Sequence, residues 1–282
     1  MKSYLNKTLL AVYAHPDDES FGNGGTLALY AQGGAAVHLV CATRGEAGMV
    51  DSQHLEGYTS IAELREAELR CAAGILRLSG VHFLNWRDSG MPGSEDNRHP
   101  QALIQQPVDT VAAQIADYIR KLKPQVVITF DPIGGYKHPD HIHIHQATVK
   151  AFQLASDPSF VSDLPPYAPQ RLYYSLFPKG MLKWAVRLMP LLGQDPRHFG
   201  RNKDIDILDL AQSGDFPIHA RINYRAVMSE RDAAAACHSS QTAGGPTRGP
   251  MRWARWLVGT YDYYMRAYPE APKRLREMDL FE

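Results

Sequence analysis

Two short stretches of the chain combine side chains that can do chemistry. The first is Ala14-His15-Pro16-Asp17-Asp18-Glu19, one imidazole and three carboxylates directly after an apolar run at residues 8–14. Packing gives no reason for such a cluster, and adjacent carboxylates repel one another unless a cation lies among them. Histidine with aspartate is a usual donor set for a catalytic zinc, and Pro16 stiffens the turn that presents both. The second is His138-Pro139-Asp140-His141-Ile142-His143-Ile144-His145, with four of the 12 histidines inside eight residues. His138 and His141 are three apart, and His141 and His145 four apart. Either pair can share a helix face; His143 cannot join them. Each cluster also has a plainer reading. Acids suit the first turn of a helix through its dipole, and a histidine-rich helix start can simply be solvated.

The surrounding elements decide between these readings. Residues 8–14 read as a buried strand rather than a signal peptide, because the apolar stretch runs straight into the polar cluster without a small-residue cleavage site. A helix is predicted at 23–32, stopped by Gly33-Gly34, then a strand at 37–42. An amphipathic helix follows at 58–78, with Ile61, Leu64, Ala67 and Cys71 on one stripe, and a short strand at 81–84. A polar loop at 85–107 is long enough to be functional. Next come a helix at 108–122, ended by Pro124, a strand at 125–130, a loop at 131–137 and a helix at 140–154. The alternation predicts a Rossmann-like three-layer α/β/α fold with a mostly parallel sheet. Both His-Pro-Asp clusters then follow strands at the sheet edge where ligands collect. That recurrence favours one shared metal site. Beyond residue 155 the pattern is irregular: a strand at 171–177, a helix at 179–192, an edge strand at 205–208, helices at 218–237 and 251–264, and a loop at 244–250. We read one domain over 1–282, with a core at 1–155 and a substrate-shaping part at 156–282.

Composition narrows the function classes. The chain has 282 residues, with Lys+Arg and Asp+Glu both at 30, a formal net charge of zero when histidine is neutral. That balance argues against a nucleic-acid or anionic-membrane partner. No apolar run approaches the roughly 18–20 residues of a membrane span. Cys41, Cys71 and Cys237 are odd in number and far apart. They indicate neither a disulfide framework nor a cysteine zinc site, and point to a reducing, cytoplasmic setting. The sequence leaves a homo-oligomer open.

The AHPDDE and HPDH pair, with Phe130-Asp131-Pro132-x-Gly134-Gly135-Tyr136 ahead of the histidines, resembles the zinc-dependent PIG-L/LmbE-type deacetylases. These hydrolyse the N-acetyl group of N-acetylglucosamine derivatives. The resemblance runs over about residues 8–155 and extends to Thr43-Arg44-Gly45-Glu46, Arg65-x-x-Glu68-Leu69, Trp86-Arg87-Asp88-Ser89-Gly90-Met91 and His238-x-Ser240-Gln241. Its wording is most similar to the mycothiol-pathway branch, with the bacillithiol-pathway deacetylases nearby. The resemblance implies one zinc per chain, held by His15, Asp18 and His141. It implies Asp17 as general base, His138 as general acid or oxyanion stabiliser, Tyr136 at the oxyanion, and Asp140 orienting His138. Arg65, Asp88 and Glu46 are implied at the sugar of a small amino-sugar conjugate. After about residue 165 the match is poor.

The chemistry agrees with these roles. An amide is a poor electrophile and water a poor nucleophile, and zinc with three protein ligands and one open position helps both. Rival readings remain. Gly22-x-Gly24-Gly25 faintly resembles a dinucleotide fingerprint, but Asp17, Asp18 and Glu19 would repel a pyrophosphate. A two-metal phosphoesterase would need extra ligands such as His143 or His145. An amidase for a larger acyl group and a non-catalytic carbohydrate-binding protein are further alternatives. Trp184, Trp253, Trp256, Tyr261, Tyr263 and Tyr264 read as core or interface residues, and His38 and His82 as satisfied core residues.

Overall fold

Strand β1 (Thr8–Tyr13) runs through the middle of a seven-stranded sheet, and from Leu9 onward its side chains are fully buried. Burial on both faces is what its unbroken apolar sequence requires. In the computed structural model, which describes residues 2–177, 179–192, 195–197, 206–241, 260–272 and 274–282, the other strands are β2 (Ala36–Cys41), β3 (Gly80–Phe83), β4 (Val126–Phe130), β5 (Arg171–Leu176), β6 (Ala220–Asn223) and β7 (Tyr261–Tyr268). The sheet order is β3-β2-β1-β4-β5-β7-β6. The first five strands are parallel, and β7 is antiparallel to both neighbours. Among the described residues the α-helices are α1 (Asp18–Gln32), α2 (Ile61–Leu76), α3 (Val108–Leu122), α4 (Gly134–Lys137), α5 (Pro139–Leu154), α6 (Lys179–Leu188), α7 (Ile207–Gln212) and α8 (Met228–Cys237). The expected three-layer, mostly parallel α/β architecture is present.

Local sequence explains the elements that flank the site. Ser60 caps α2 by accepting the Glu63 amide, and Glu63 reaches back to the Thr59 amide, a variant of the capping box. Helix α3 turns Val111, Ile115 and Ile119 into the core at helical spacing. Helix α5 starts with His138 as cap and Pro139 in its first turn, where a missing amide hydrogen does no harm. From β1 the chain turns to β2 on one side, while β4 lies on the other. The loops after β1 and β4 therefore meet at a topological switch point, where open α/β sheets bind ligands.

The C-terminal third departs from several expectations. Residues 218–237 do not form one helix: they give β6, a short 3-10 turn and α8. The expected edge strand at 205–208 overlaps α7 instead, capped by the Asp206 carboxylate on the Asp209 amide. The expected helix at 251–264 ends in β7, where aromatic residues suited to a pleated surface pair with β5 and β6. The rest of that helix, the loop at 244–250, Trp253 and Trp256 lie outside the described residues. Trp184 is 65% exposed and belongs to no core, whereas Tyr264 is buried. His38 and His82 are half-buried and stack on each other. Gly22, Gly24 and Gly25 lie inside α1 rather than in a strand-to-helix turn, which removes the dinucleotide reading.

The cysteine reading is also corrected. Cys71 of α2 and Cys237 of α8 form a disulfide with Cα atoms 5.9 Å apart, across 166 residues of sequence; Cys41 is a buried free thiol. The two helices pack side by side, a proximity that no sequence spacing signals. A reducing setting therefore loses its support from the cysteine count. Among the described residues, no helix is long and apolar enough to cross a membrane.

One buried cation ties the core to the segment after α5. Arg120 is 2% exposed and donates to the carbonyls of Ala155, Asp157, Phe160 and Leu164. Removing it leaves four acceptors without their donor. Arg120→Ala is expected to lower unfolding free energy by about 3 kcal/mol, measured by denaturant unfolding. Arg120→Lys is expected to restore only a fraction, because an ammonium lacks the planar fork.

Candidate active site

The loop after β1 carries His15 at 5% exposure and Asp18 at the first position of α1. The Asp18 carboxylate accepts the His15 amide at 2.7 Å, closing the turn that Pro16 begins. Helix α5 delivers His141 from the other side of the switch point, 1% exposed. Four donor atoms of these three residues, one nitrogen of each ring and both Asp18 oxygens, then face one another. His15 Nδ1 is 3.2 Å from His141 Nε2, Asp18 Oδ1 is 3.3 Å from His141 Nε2, and Asp18 Oδ2 is 3.7 Å from His15 Nδ1. Ligands on a tetrahedral ion at 2.0–2.2 Å stand about 3.3–3.6 Å apart, so this triangle has the dimensions of a metal site.

The far sides of both rings are prepared for that role. His15 Nε2 faces Asp140 Oδ2 at 3.1 Å and Asp88 Oδ1 at 3.3 Å. His141 Nδ1 donates to the Gly134 carbonyl at 3.2 Å. Each ring thus has an acceptor for the proton on its outer nitrogen, leaving the inner lone pair free for a cation. Gly134 has φ +66, and a Cβ there would stand 2.9 Å from the His141 Cβ. Phe130, at the end of β4, stacks on the His141 ring with centroids 3.9 Å apart.

His138 is also within donor range of His15 and His141, and His15 with Asp88 and Asp140 forms a second such group. Hydrogen bonding separates them. His138 Nδ1 accepts the Asp140 amide as the cap of α5, and the Asp88 and Asp140 carboxylates accept from the outer face of His15. In the Asp18 triangle the inner ring nitrogens face Asp18, whose Oδ2 also accepts the His15 amide and whose Oδ1 faces His141. The Asp140 carboxylate lies on His15 and the Ser89 amide; only the Asp140 backbone touches His138. His145 Nδ1 donates to the Phe130 carbonyl at 2.8 Å.

Asp17 stands apart from its neighbour. It has φ +120 and ψ −27, a strained region for any residue but glycine. Arg65 donates to the Asp17 carboxylate at 3.0 Å and also to the Pro16 and Gly45 carbonyls. Gly45 (φ +70) makes room for it: a Cβ there would lie 2.0 Å from the guanidinium. Arg65 is 4% exposed, so the structure places it on protein acceptors where a sugar contact was expected. Asp88 is similarly enclosed, against His15, with its amide on the Glu46 carboxylate at 3.0 Å.

Two adjacent carboxylates are driven in opposite directions. Burial pushes Asp17 up to about 6, with Arg65 opposing the rise. Burial acts the same way on Asp18, but His141 and His15 outweigh it and hold Asp18 well below the usual carboxylate range. One carboxylate thus stays ionised toward a cation, and the other is poised to exchange a proton near neutral pH. Burial, with His15 and His141 beside it, pushes His138 well below the usual histidine range. Its Nδ1 is an acceptor, so the neutral ring presents Nε2–H as a donor. The Tyr136 ring lies 5.9 Å from His138 and 5.0 Å from His141 and is 37% exposed.

Some contributors escaped the sequence reading. Phe130 and the Ser89 amide carry no chemical signature in sequence. Glu19, 0% exposed, was read only as a member of an acidic turn, yet it pairs with His238 Nε2 at 2.8 Å. Glu68, three residues from Arg65 on α2 and buried like it, has no role assigned from sequence; the shared spacing is the available signal for a functional helix face.

Comparison with known proteins bears on the family and the fold. The family model described as GlcNAc-PI de-N-acetylase (PIG-L) matches residues 10–152. A 1D-myo-inositol 2-acetamido-2-deoxy-alpha-D-glucopyranoside deacetylase from Thermomonospora curvata is 37% identical over 249 residues, covering 85% of this chain and 82% of that protein. Among solved structures, the N,N'-diacetylchitobiose deacetylase of Pyrococcus horikoshii superimposes with TM-score 0.61 at 20% identity, over 92% of this chain and 83% of that one. A 4-carboxy-2-hydroxymuconate hydratase from Pseudomonas putida does so with TM-score 0.56 at 21% identity, over 95% and 99%. Since a hydratase shares the architecture, these superpositions establish the fold alone. The family match and the sequence identity go further: this chain belongs to the PIG-L family of GlcNAc-PI de-N-acetylases.

Proposed function

We propose that the protein hydrolyses the N-acetyl amide of an N-acetylglucosamine conjugate, with an inositol aglycone first among the candidates. The donor triangle of His15, Asp18 and His141, with Asp17 one residue away, carries this reading. The inositol-linked substrate named for the Thermomonospora curvata relative supports the aglycone. We assign zinc to the triangle because two imidazoles and a carboxylate at these spacings suit it, with a position left over for reactants. When bound, zinc supplies a positive centre that polarises the acyl oxygen and makes water acidic at neutral pH.

The chain's own groups complete the reaction. Asp17 accepts a proton from the attacking water, and Arg65 keeps its carboxylate aimed. His138 donates Nε2–H to the acyl oxygen as charge develops there, with the Tyr136 hydroxyl as a second donor. The proton held by Asp17 passes to the departing nitrogen, so one water yields acetate and a free amine. His138 acts here as a neutral donor, the oxyanion-stabilising one of its two expected roles. Asp88, Asp140 and Glu46 hold His15 in register.

The test is an acetate-release assay of the zinc-loaded protein on N-acetylglucosaminyl-inositol, N-acetylglucosaminyl-malate and N,N'-diacetylchitobiose. Release from the inositol conjugate, abolished by a chelator and restored by zinc, is the expected result. Release from the malate or chitobiose compound alone would retain the reaction and remove the inositol assignment. Binding of all three without acetate release would favour a carbohydrate-binding protein instead.

A further inference from the structure

The strained backbone of Asp17 is held by a group outside the reacting set. Its amide donates to Glu19 Oε2 at 3.0 Å. The other oxygen, Glu19 Oε1, accepts the Ser20 hydroxyl at 2.5 Å and faces His238 Nε2 at 2.8 Å. Glu19, Ser20 and His238 are each 0% exposed. Enclosing a carboxylate this completely demands that its oxygens be satisfied, and here one of them fixes the backbone of a residue at φ +120. His238 directly follows Cys237, whose disulfide to Cys71 fastens it beside α2. Helix α2 in turn supplies Arg65 to the Asp17 carboxylate and Glu68 to the Ser240 amide and hydroxyl. Asp17 is thus gripped twice: at its carboxylate from α2, and at its amide from the end of α8 through Glu19.

We propose that Glu19, braced by His238, is a positioning residue that keeps Asp17 in its positive-φ conformation and so aims the base at the reacting water. The proposal rests on Asp17 being the base. It explains why a third acid follows the two aspartates and why a histidine over 200 residues away is buried against it. A shift of about 1 Å in a catalytic group lowers turnover by up to about a hundredfold.

A double-mutant cycle tests it. Glu19→Ala is expected to lower kcat roughly tenfold to a hundredfold per metal-loaded site, with KM within about twofold and metal content unchanged. Glu19→Gln, which keeps an oxygen for the Asp17 amide, should recover most of the loss. In an Asp17→Asn background, Glu19→Ala should lower the residual rate no further, because a residue acting through Asp17 has nothing left to position. An equal further loss in that background, or loss of metal in Glu19→Ala alone, would overturn the proposal. Full activity of Asp17→Asn by itself would instead remove the base assignment on which it rests. If Glu19→Ala is not recovered folded, His238→Ala goes through the same cycle with the same expected pattern.

Discussion

Asp17→Asn is expected to lower kcat for acetate release by at least about a hundredfold while the protein stays folded and keeps its metal. Asparagine is nearly isosteric, and its side-chain oxygen can still accept from Arg65. It tolerates positive φ better than most residues, so the strained turn survives. What it cannot do is accept a proton, and a positioned general base contributes about 10²–10⁴ in rate. The loss should fall on kcat and kcat/KM together, since proton transfer is a transition-state interaction. Steady-state kinetics beside a metal determination would check this, and unchanged turnover would take Asp17 out of the role.

Removing a ligand should have a larger effect still. His15→Ala or Asp18→Ala breaks the triangle and is expected to reduce bound zinc well below one per chain, with acetate release at background. For His15 the consequence spreads, because Asp88 and Asp140 lose the ring that separates them and face Asp18 without an intervening donor. Like charges brought together in a buried site disfavour one another's ionisation. His138→Ala is the informative partner: it should retain the metal yet turn over slowly. The ligand assignment is wrong if His138→Ala loses the metal and Asp18→Ala keeps it. Elemental analysis of the purified variants after dialysis separates these outcomes.

Much of the site was legible because its members sit in two short runs attached to strands that name themselves. Strand β1 is unbroken apolar sequence, α3 falls on residues 108–122 as its spacing predicts, and ligands collect where such strands end. What stayed hidden depends on contacts between distant segments. That Asp140 serves His15 rather than His138 follows from how α5 docks, not from their neighbouring positions. The resemblance implies Arg65 at the sugar; that its guanidinium lies on the Asp17 carboxylate and on the Pro16 and Gly45 carbonyls follows from how α2 docks. Strands β6 and β7 were read as helices because tyrosine, alanine and arginine stretches support either period until a sheet edge is there to receive them. The Glu19–His238 pair spans 219 residues, beyond the reach of any local pattern.

The Cys71–Cys237 bond also alters what unfolding means for this protein. The bond ties the middle of the chain into a covalent ring with a tail at each end. His15, Asp17 and Asp18 lie on one tail, while His138 and His141 lie on the ring. Denatured without a reductant, the molecule is a tailed loop rather than an open chain. In the chain-entropy picture, a closure of this length makes that denatured state less favourable by about 5 kcal/mol. Melting curves taken with and without a reductant would therefore share a folded state of one shape while measuring it against two different references.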